Sequence, residues 1–311
     1  MAATLIKRFE NNPILTSNDI PYPVATVHNA GVTKYNGKYI MLFRSHLTNG
    51  RSILGLARSD DGYHFKADDT PFMTPAVEGV SGQYEEYGLE DPRITYIDGE
   101  YLITYSVYSR HGIRISLART KDFETVERIA IITESDYRNV VIFPEKFNGL
   151  YVRMDRPHSE LSPWSIWISY SPDLRYWGDS RVIMKPVQYH WDQMKIGPGA
   201  PPFKTPRGWL NIYHGVFPTM DGSVYRLGVA LHDLNDPANI IAVSDQWILQ
   251  PEEPYEMVGY VHNVVFCCGA VPEDDGTVKI YWGGADKVMC MGIAQIEELV
   301  DLCLEHPRSP L

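Results

Sequence analysis

Two turn signals, locked at a nearly constant distance and recurring about every sixty residues, limit what this chain can fold into. The first is an Asn-Gly or Asp-Gly dipeptide ahead of an aromatic-rich apolar run. It occurs at Asn36-Gly37, Asp98-Gly99, Asn148-Gly149 and Asp275-Gly276, with Arg207-Gly208 as a weaker copy. Such dipeptides reach the positive φ angles that tight hairpin turns need. The second signal is an aspartate in a later polar turn: Asp61, Asp122, Asp173 and Asp233. From the glycines at 37, 99, 149 and 208 the separations are 24, 23, 24 and 25 residues. A fixed offset inside a longer period marks one supersecondary unit repeated. The intervening runs, such as Tyr39–Phe43, Tyr101–Tyr105 and Val278–Trp282, are short, β-branched and aromatic, as strands are. Each unit has room for about four strands, the content of a propeller blade. Five copies fill the chain. The expectation is an all-β, five-bladed β-propeller, a single domain over residues 1–311, with an N-terminal strand completing the last sheet. A β-sandwich with coincident turns is the alternative.

Helical spacing shows only near the end, at Ile293, Ile296, Leu299, Val300 and Cys303. It predicts a short C-terminal helix, read as a surface cap or a subunit contact, which leaves a homo-oligomer open. The last six residues, His306–Leu311, read as a frayed tail.

Composition removes whole classes of function. The 28 basic and 39 acidic residues leave a net charge of −11, which argues against nucleic acid or an anionic membrane as partner. Any anion site must then be a local basic pocket. Cys267, Cys268, Cys290 and Cys303 form no CxxC pair, so neither a disulfide framework nor a zinc site is expected, and a reducing cytoplasm fits. The N-terminal segment lacks an apolar stretch of signal-peptide length, and no uncharged run is long enough to span a bilayer. There is no HExxH, no GxGxxG or GKS/T, and no GxSxG. Neither a metal nor a cofactor is expected.

Chemistry should come from polar residues set where a strand pattern calls for apolar ones. Arg44 ends one run. Glu90, Asp91 and Arg93 interrupt Gly88–Ile94, and Arg138 and Asn139 precede another run. Arg156, His214 and Asp286 close others. Singly, each reads as a solvated strand end or a hydrogen-bonded core residue. Glu90–Arg93 alone reads as a capped turn, and Lys195 as a loop lysine before Gly197-Pro198-Gly199. Their recurrence at matching places in different repeats makes convergence on a central channel the stronger reading. Trp164, Trp167 and Trp191 are candidates for stacking on a sugar, with core packing as their commoner fate.

Four blocks, Gly88–Thr95, Arg138–Lys146, Lys195–Pro202 and Gly208–Val216, resemble the signature blocks of glycoside hydrolase family 130. That family holds β-mannoside phosphorylases and some β-mannosidases. The likeness runs from Asn12 to Asp286 with the blocks in order. It implies a five-bladed β-propeller and an inverting attack of inorganic phosphate, the co-substrate, on a β-1,2- or β-1,4-linked manno-oligosaccharide, with a lean to β-1,2. It implies Asp91 as general acid, donating through the 3-hydroxyl of the mannosyl unit. It implies Arg138, Arg156, Lys195, His214 and Tyr225 around phosphate, and Asn29, Arg44 and Asp286 around the mannosyl unit. Glu90 and Arg93, beside the acid, join the substrate-binding set.

The residue types suit that chemistry. An inverting glycosidase needs a second carboxylate to activate water. Phosphate brings its own negative charge and needs capture instead, which forked guanidinium groups and an ammonium supply. A β-mannosidase on the same scaffold would have exchanged the cations for carboxylates. A non-catalytic sugar-binding propeller would need neither.

Overall fold

The computed structural model describes residues 5–311 and is built almost entirely of β-strands. Five antiparallel units follow one another along the chain. The first comprises His28–Tyr35, Lys38–His46, Ser52–Ser59 and Lys66–Ala67. The second comprises Gly88–Ile97, Glu100–Ser109, Gly112–Thr120 and Glu127–Ile131. The third comprises Tyr137–Ile142, Tyr151–Pro157, Ile166–Ser171 and Gly178–Met184. The fourth comprises Lys195–Pro198, Gly208–Thr219, Gly222–His232 and Ile240–Ser244, with Phe203–Thr205 and Pro307–Arg308 added. In the fifth, Val265–Pro272, Thr277–Gly284 and Val288–Gln295 are joined by Lys7–Arg8. That N-terminal strand pairs Lys7 with Ile293 and Arg8 with Gly292, as the repeat anticipates. Among the described residues a single parallel bridge, Ser52 to Gly88, links the first two units, and no sheet closes on itself.

Both turn signals have physical causes. Asn36, Asp98 and Asn148 take φ of 49°, 54° and 51°, and the glycines after them 76°, 79° and 80°. These pairs form the tight hairpins between first and second strands. At Asp275-Gly276 only the glycine is left-handed, at 85°. The marker aspartates close the turn between third and fourth strands. Asp61 Oδ1 accepts the N–H groups of Tyr63 and His64 at 2.8 and 2.9 Å, and Asp122 Oδ1 those of Glu124 and Thr125, both at 2.9 Å. Asp173 and Asp233 repeat the arrangement. The 24-residue offset is thus the length of two strands and the turn between them.

The core lies between units. One apolar cluster joins the first and second units around Leu42, Leu54, Ile103 and Val107, and another joins the second and third around Leu102, Ile115 and Ile142. Further clusters join third to fourth, fourth to fifth, and fifth back to first. Each fully buried aliphatic side chain contributes about 1.5–3 kcal/mol. Inner strands touch in turn as well: His28–Tyr35 meets Gly88–Ile97, which meets Tyr137–Ile142, which meets Lys195–Pro198, while Val265–Pro272 meets His28–Tyr35.

Two expectations at the C-terminus need correction. The helix spans Ile296–Glu305, and Ile293 belongs to the preceding strand. Leu299, Val300 and Cys303 pack onto the fourth and fifth units, so the helix caps them. The tail is not frayed: Pro307 and Arg308 pair with Ser244 and Val243, and Arg308 reaches a buried carboxylate. All four cysteines are buried and free. Among the described residues no helix is long and apolar enough to cross a membrane.

Candidate active site

Three inner strands break register at the same relative place. The shifts fall between His28 and Gly31, Glu90 and Arg93, and Arg138 and Val141. The residue inside each bulge is left-handed: Asn29 at 50°, Asp91 at 51°, Asn139 at 59°. A bulge leaves one residue unpaired and re-aims its side chain. Asn and Asp are the side chains that tolerate this conformation best. A fourth polar residue, Asp286 at 51°, sits in the turn leaving Thr277–Gly284. Glycine makes the convergence possible. A Cβ at Gly283 would stand 2.1 Å from Asn29 Oδ1, and one at Gly197 2.7 Å from Asn139 Nδ2.

These side chains surround a cavity of about 330 Å³. One wall comes from the first, second and fifth units. Asn29 Nδ2 donates to Asp91 Oδ1 at 2.9 Å, and Arg44 Nη1 donates to the same oxygen at 3.0 Å. Oδ2 is left to face the cavity. Arg44 Nη2 reaches Glu90 Oε1 at 2.8 Å and His46 Nε2 at 2.9 Å. Burial alone would raise the Asp91 carboxyl. Arg44, Arg93, the Asn29 hydrogen bond and Arg138 outweigh it and hold it well below the usual carboxylate range. Asp286, buried and facing the charges of Asp91 and Glu90, is pushed up to about 6 despite Arg44. Two carboxyl groups in one wall are thereby driven apart.

The opposite wall, from the third and fourth units, is cationic. Arg138, Arg156 and Lys195 all line it. Arg138 Nη1 stands 3.5 Å from Glu90 Oε2, whereas Arg156 and Lys195 make no ion pair among the described residues. Lys195 Nζ lies 5.0 Å from the Trp164 ring centre and 5.3 Å from that of Tyr225, and the Arg156 guanidinium lies 5.4 Å from Trp164. Burial, then the charges of Arg156 and Arg138, pull Lys195 down to about 8. Burial and the neighbouring arginines pull Arg156 down to about 10, against the opposing influence of Tyr225. Two cations drawn together away from water with no ion pair of their own, Arg156 and Lys195, are costly and favour an anion between them.

The cavity brings together Asn29, Arg44, Asp91, Arg138, Arg156, Lys195, Tyr225 and Asp286 from the sequence reading. Glu90, Arg93 and His214 stand behind its wall. Arg93, expected to touch substrate, spends its guanidinium on the carbonyls of Gly199 at 2.7 Å and Asp91 at 2.8 Å and on Asn139 Oδ1 at 3.3 Å. It fastens the second unit to the third and fourth. His214 is fully buried, and its Nε2 faces Arg156 Nη1 at 3.1 Å and Asn139 Nδ2 at 3.4 Å. Burial and the cations Arg156, Arg93 and Lys195 hold it neutral. It aims Arg156 and stacks on Tyr225 with ring centres 6.1 Å apart. Of the tryptophans, Trp164 lines the cavity and Trp191 is core. Sequence reasoning missed Val261, Val264 and Phe266 and gave Asn139 no role. For Asn139 a signal existed: an Asn beside an arginine, at the position where Asn29 and Asp91 stand in their own strands.

The glycoside hydrolase family 130 model, described as β-1,4-mannooligosaccharide phosphorylase, matches residues 4–305. The 1,2-β-oligomannan phosphorylase of Thermoanaerobacter sp. (strain X514) is 37% identical, over 94% of this chain and 98% of that protein. The β-1,4-mannooligosaccharide phosphorylase of Ruminococcus albus is 32% identical, over 97% and 92%. Among solved structures, the β-1,2-mannobiose phosphorylase of Listeria innocua in its β-1,2-mannobiose complex superposes with a TM-score of 0.89. The identity is 31%, over 97% of this chain and 99% of that one.

Proposed function

Because the chain belongs to glycoside hydrolase family 130, we propose that it is an inverting β-mannoside phosphorylase, a single catalytic domain that moves the terminal mannosyl unit onto inorganic phosphate. The products are α-mannose 1-phosphate and a sugar shortened by one unit. The observation that carries the reading is the cationic wall: Arg156, buried, and Lys195, half-buried, neither in an ion pair among the described residues, opposite Asp91. Both carboxyl groups that line the cavity, Asp91 and Asp286, belong to the other wall, and Glu90, the carboxylate 3.5 Å from Arg138, stands behind the wall on Arg44 and Arg138, so none is free in the cavity beside Arg156 and Lys195 to activate water.

The roles follow from position. Arg138, Arg156 and Lys195 hold phosphate in line with the anomeric carbon, with Tyr225 beside Lys195 and His214 steering Arg156. Such alignment is worth about 7–11 kcal/mol of barrier. Asn29, Arg44 and Asp286 grip the mannosyl unit. A phosphate oxygen forms the new bond to C1, the bond from C1 to the leaving oxygen breaks, and Asp91 supplies the proton that oxygen needs, worth about 10²–10⁴-fold. Asp91 rests as a carboxylate and must gain a proton before it can give one. Arg138 is among the charges that keep it ionised. Phosphate beside Arg138 cancels part of that field, so co-substrate binding raises Asp91 toward its acid role.

The five units, each packed on the next and the last on the first, are read as the blades of a five-bladed β-propeller with the cavity near its axis. The relatives above support a lean to β-1,2 linkages. Free, buried cysteines support a cytoplasmic setting.

The test is incubation with β-1,2-mannobiose with and without phosphate. Sugar phosphate should form only when phosphate is present. Free mannose released at equal rates in both would overturn the reading in favour of a β-mannosidase. Arg138→Ala should raise the KM for phosphate steeply in a phosphorylase and change little in a hydrolase.

A further inference from the structure

The strand Pro307–Arg308 carries an arginine into the edge of the fourth unit, where the repeat has no counterpart. Its side chain turns inward and is 5% exposed. Nη2 lies 2.7 Å from Asp192 Oδ2 and 3.4 Å from the Tyr213 hydroxyl, and Nη1 donates to the Ser309 carbonyl at 2.8 Å. Asp192 is fully buried. Its Oδ1 faces His190 Nδ1 at 2.7 Å, and its Oδ2 also accepts the Tyr213 hydroxyl at 3.3 Å. One carboxylate thus ties the tail, the segment before the inner strand, and the second strand of the unit into a single polar network. Trp191 extends it, stacking on Tyr213 at 5.7 Å and donating to the Asp245 carbonyl at 3.0 Å.

Three residues past Asp192 stands Lys195. With no ion pair of its own among the described residues, its ammonium is placed by the Trp164 and Tyr225 rings and by the backbone that carries it. That backbone is taut. Met194 N–H bonds to the Val216 carbonyl at 2.9 Å, and Lys195 pairs with Val216. A Cβ at Gly215 would stand 2.3 Å from Asp192 Cβ. Tyr213, the other partner of Arg308, directly precedes His214, which aims Arg156.

We propose that Arg308 is a positioning residue for the phosphate wall: seated on Asp192 at the outer edge of the unit, it fixes where Lys195 and His214 stand in the cavity. The inference rests on reading Lys195 as a phosphate ligand. It makes the C-terminal strand a determinant of co-substrate affinity, with no part in gripping the sugar.

The test compares the full chain with Arg308→Ala, Arg308→Lys, a chain ending at His306, and Lys195→Ala. Initial rates are measured with β-1,2-mannobiose and phosphate varied in turn, and thermal unfolding is recorded for each. Arg308→Ala and the truncation should raise the KM for phosphate about tenfold, the scale of one hydrogen bond, while the mannoside KM stays in place. Arg308→Lys keeps the charge and loses the fork, so it should recover part of the loss. Should Arg308→Ala fail to fold, Arg308→Lys decides, with a smaller rise confined to phosphate. A folded variant with the parental phosphate KM, or with both KM values rising together, overturns the proposal. If Lys195→Ala leaves the phosphate KM unchanged, the assignment of the phosphate wall falls first and this inference with it. If Lys195→Ala raises it and the Arg308 variants do not, this inference falls alone.

Discussion

Asp286 shows how function is set against stability at one residue. Its carboxyl titrates at about 6, above the ordinary 3.8, because it is buried beside Asp91 and Glu90. For a carboxyl raised on folding, the stabilising contribution is complete below the unfolded value and is lost as pH rises through the folded one. Near neutrality and above, ionised Asp286 therefore works against folding. Asp286→Asn removes that charge and keeps the shape. It should gain about 1–3 kcal/mol in unfolding free energy near pH 8 and almost nothing near pH 3, while mannoside turnover falls sharply. Urea titrations at the two pH values check it, and a gain that does not change with pH would count against the account. The same chemistry explains which site residues could be read beforehand. A charge inside a strand is expensive, so Arg44, Asp91 and Arg156 stood out as exceptions needing a reason, and Asp286 as a charge at the end of an apolar run. Phe266, Val261 and Val264 line the cavity with side chains that look like any core residue in a strand. Arg93 misled for the opposite cause: sequence displays its charge and hides that its donors are occupied by carbonyls.

The inner strand of each unit is the element that turns the repeat into a site. Register shifts at Asn29, Asp91 and Asn139 place a polar residue left-handed where ordinary alternation would bury or expose it. A left-handed position reverses the usual ranking of alanine over glycine. Ala at φ 59° carries about 1–2 kcal/mol of steric cost that Gly escapes. Both lose the hydrogen bonds of Asn139 to Arg93 and His214. Asn139→Gly should therefore be the more stable variant by about 1 kcal/mol, after allowing for the larger unfolded-state entropy of glycine. Chemical denaturation of the pair measures the difference, and Ala equal to or above Gly would mean that the bulge is not conserved in solution. The strands around these bulges were legible because hairpin turns demand particular residues at particular φ. The bulges were not, since one extra residue leaves no trace beyond a single Asn or Asp ahead of an apolar run, as at Asn139. The strand–helix junction failed for a related reason. Ile293 lies three residues before Ile296 and fits a helical stripe, yet it also pairs with Lys7 in the sheet, and spacing alone cannot separate the two periods.

The first strand completes the fifth unit, and an ion pair to a buried carboxylate ties it in place. Arg8 Nε and Nη2 reach the two oxygens of Glu256 at 3.0 and 2.9 Å, and Nη2 also donates to the Gln250 carbonyl at 2.7 Å. Glu256 is fully buried and accepts the Trp282 indole N–H at 3.1 Å and the Glu252 N–H at 2.9 Å. The strand that completes the fifth unit is thus bolted to the segment leading to Val261 and Val264 in the cavity wall. Arg8→Ala strands a buried carboxylate and should lower the unfolding free energy by about 3–5 kcal/mol. Removing both charges is a different perturbation. Arg8→Met with Glu256→Gln leaves an uncharged site of similar volume that still accepts the indole proton, so the pair should recover most of the loss. Unfolding free energies for Arg8→Met, Glu256→Gln and the double variant give the coupling directly. If the double variant is as unstable as Arg8→Ala, the loss lies in packing of the arginine stem and not in the orphaned charge. If none of the three differs from the parent, this ion pair does not hold the N-terminal strand on the fifth unit.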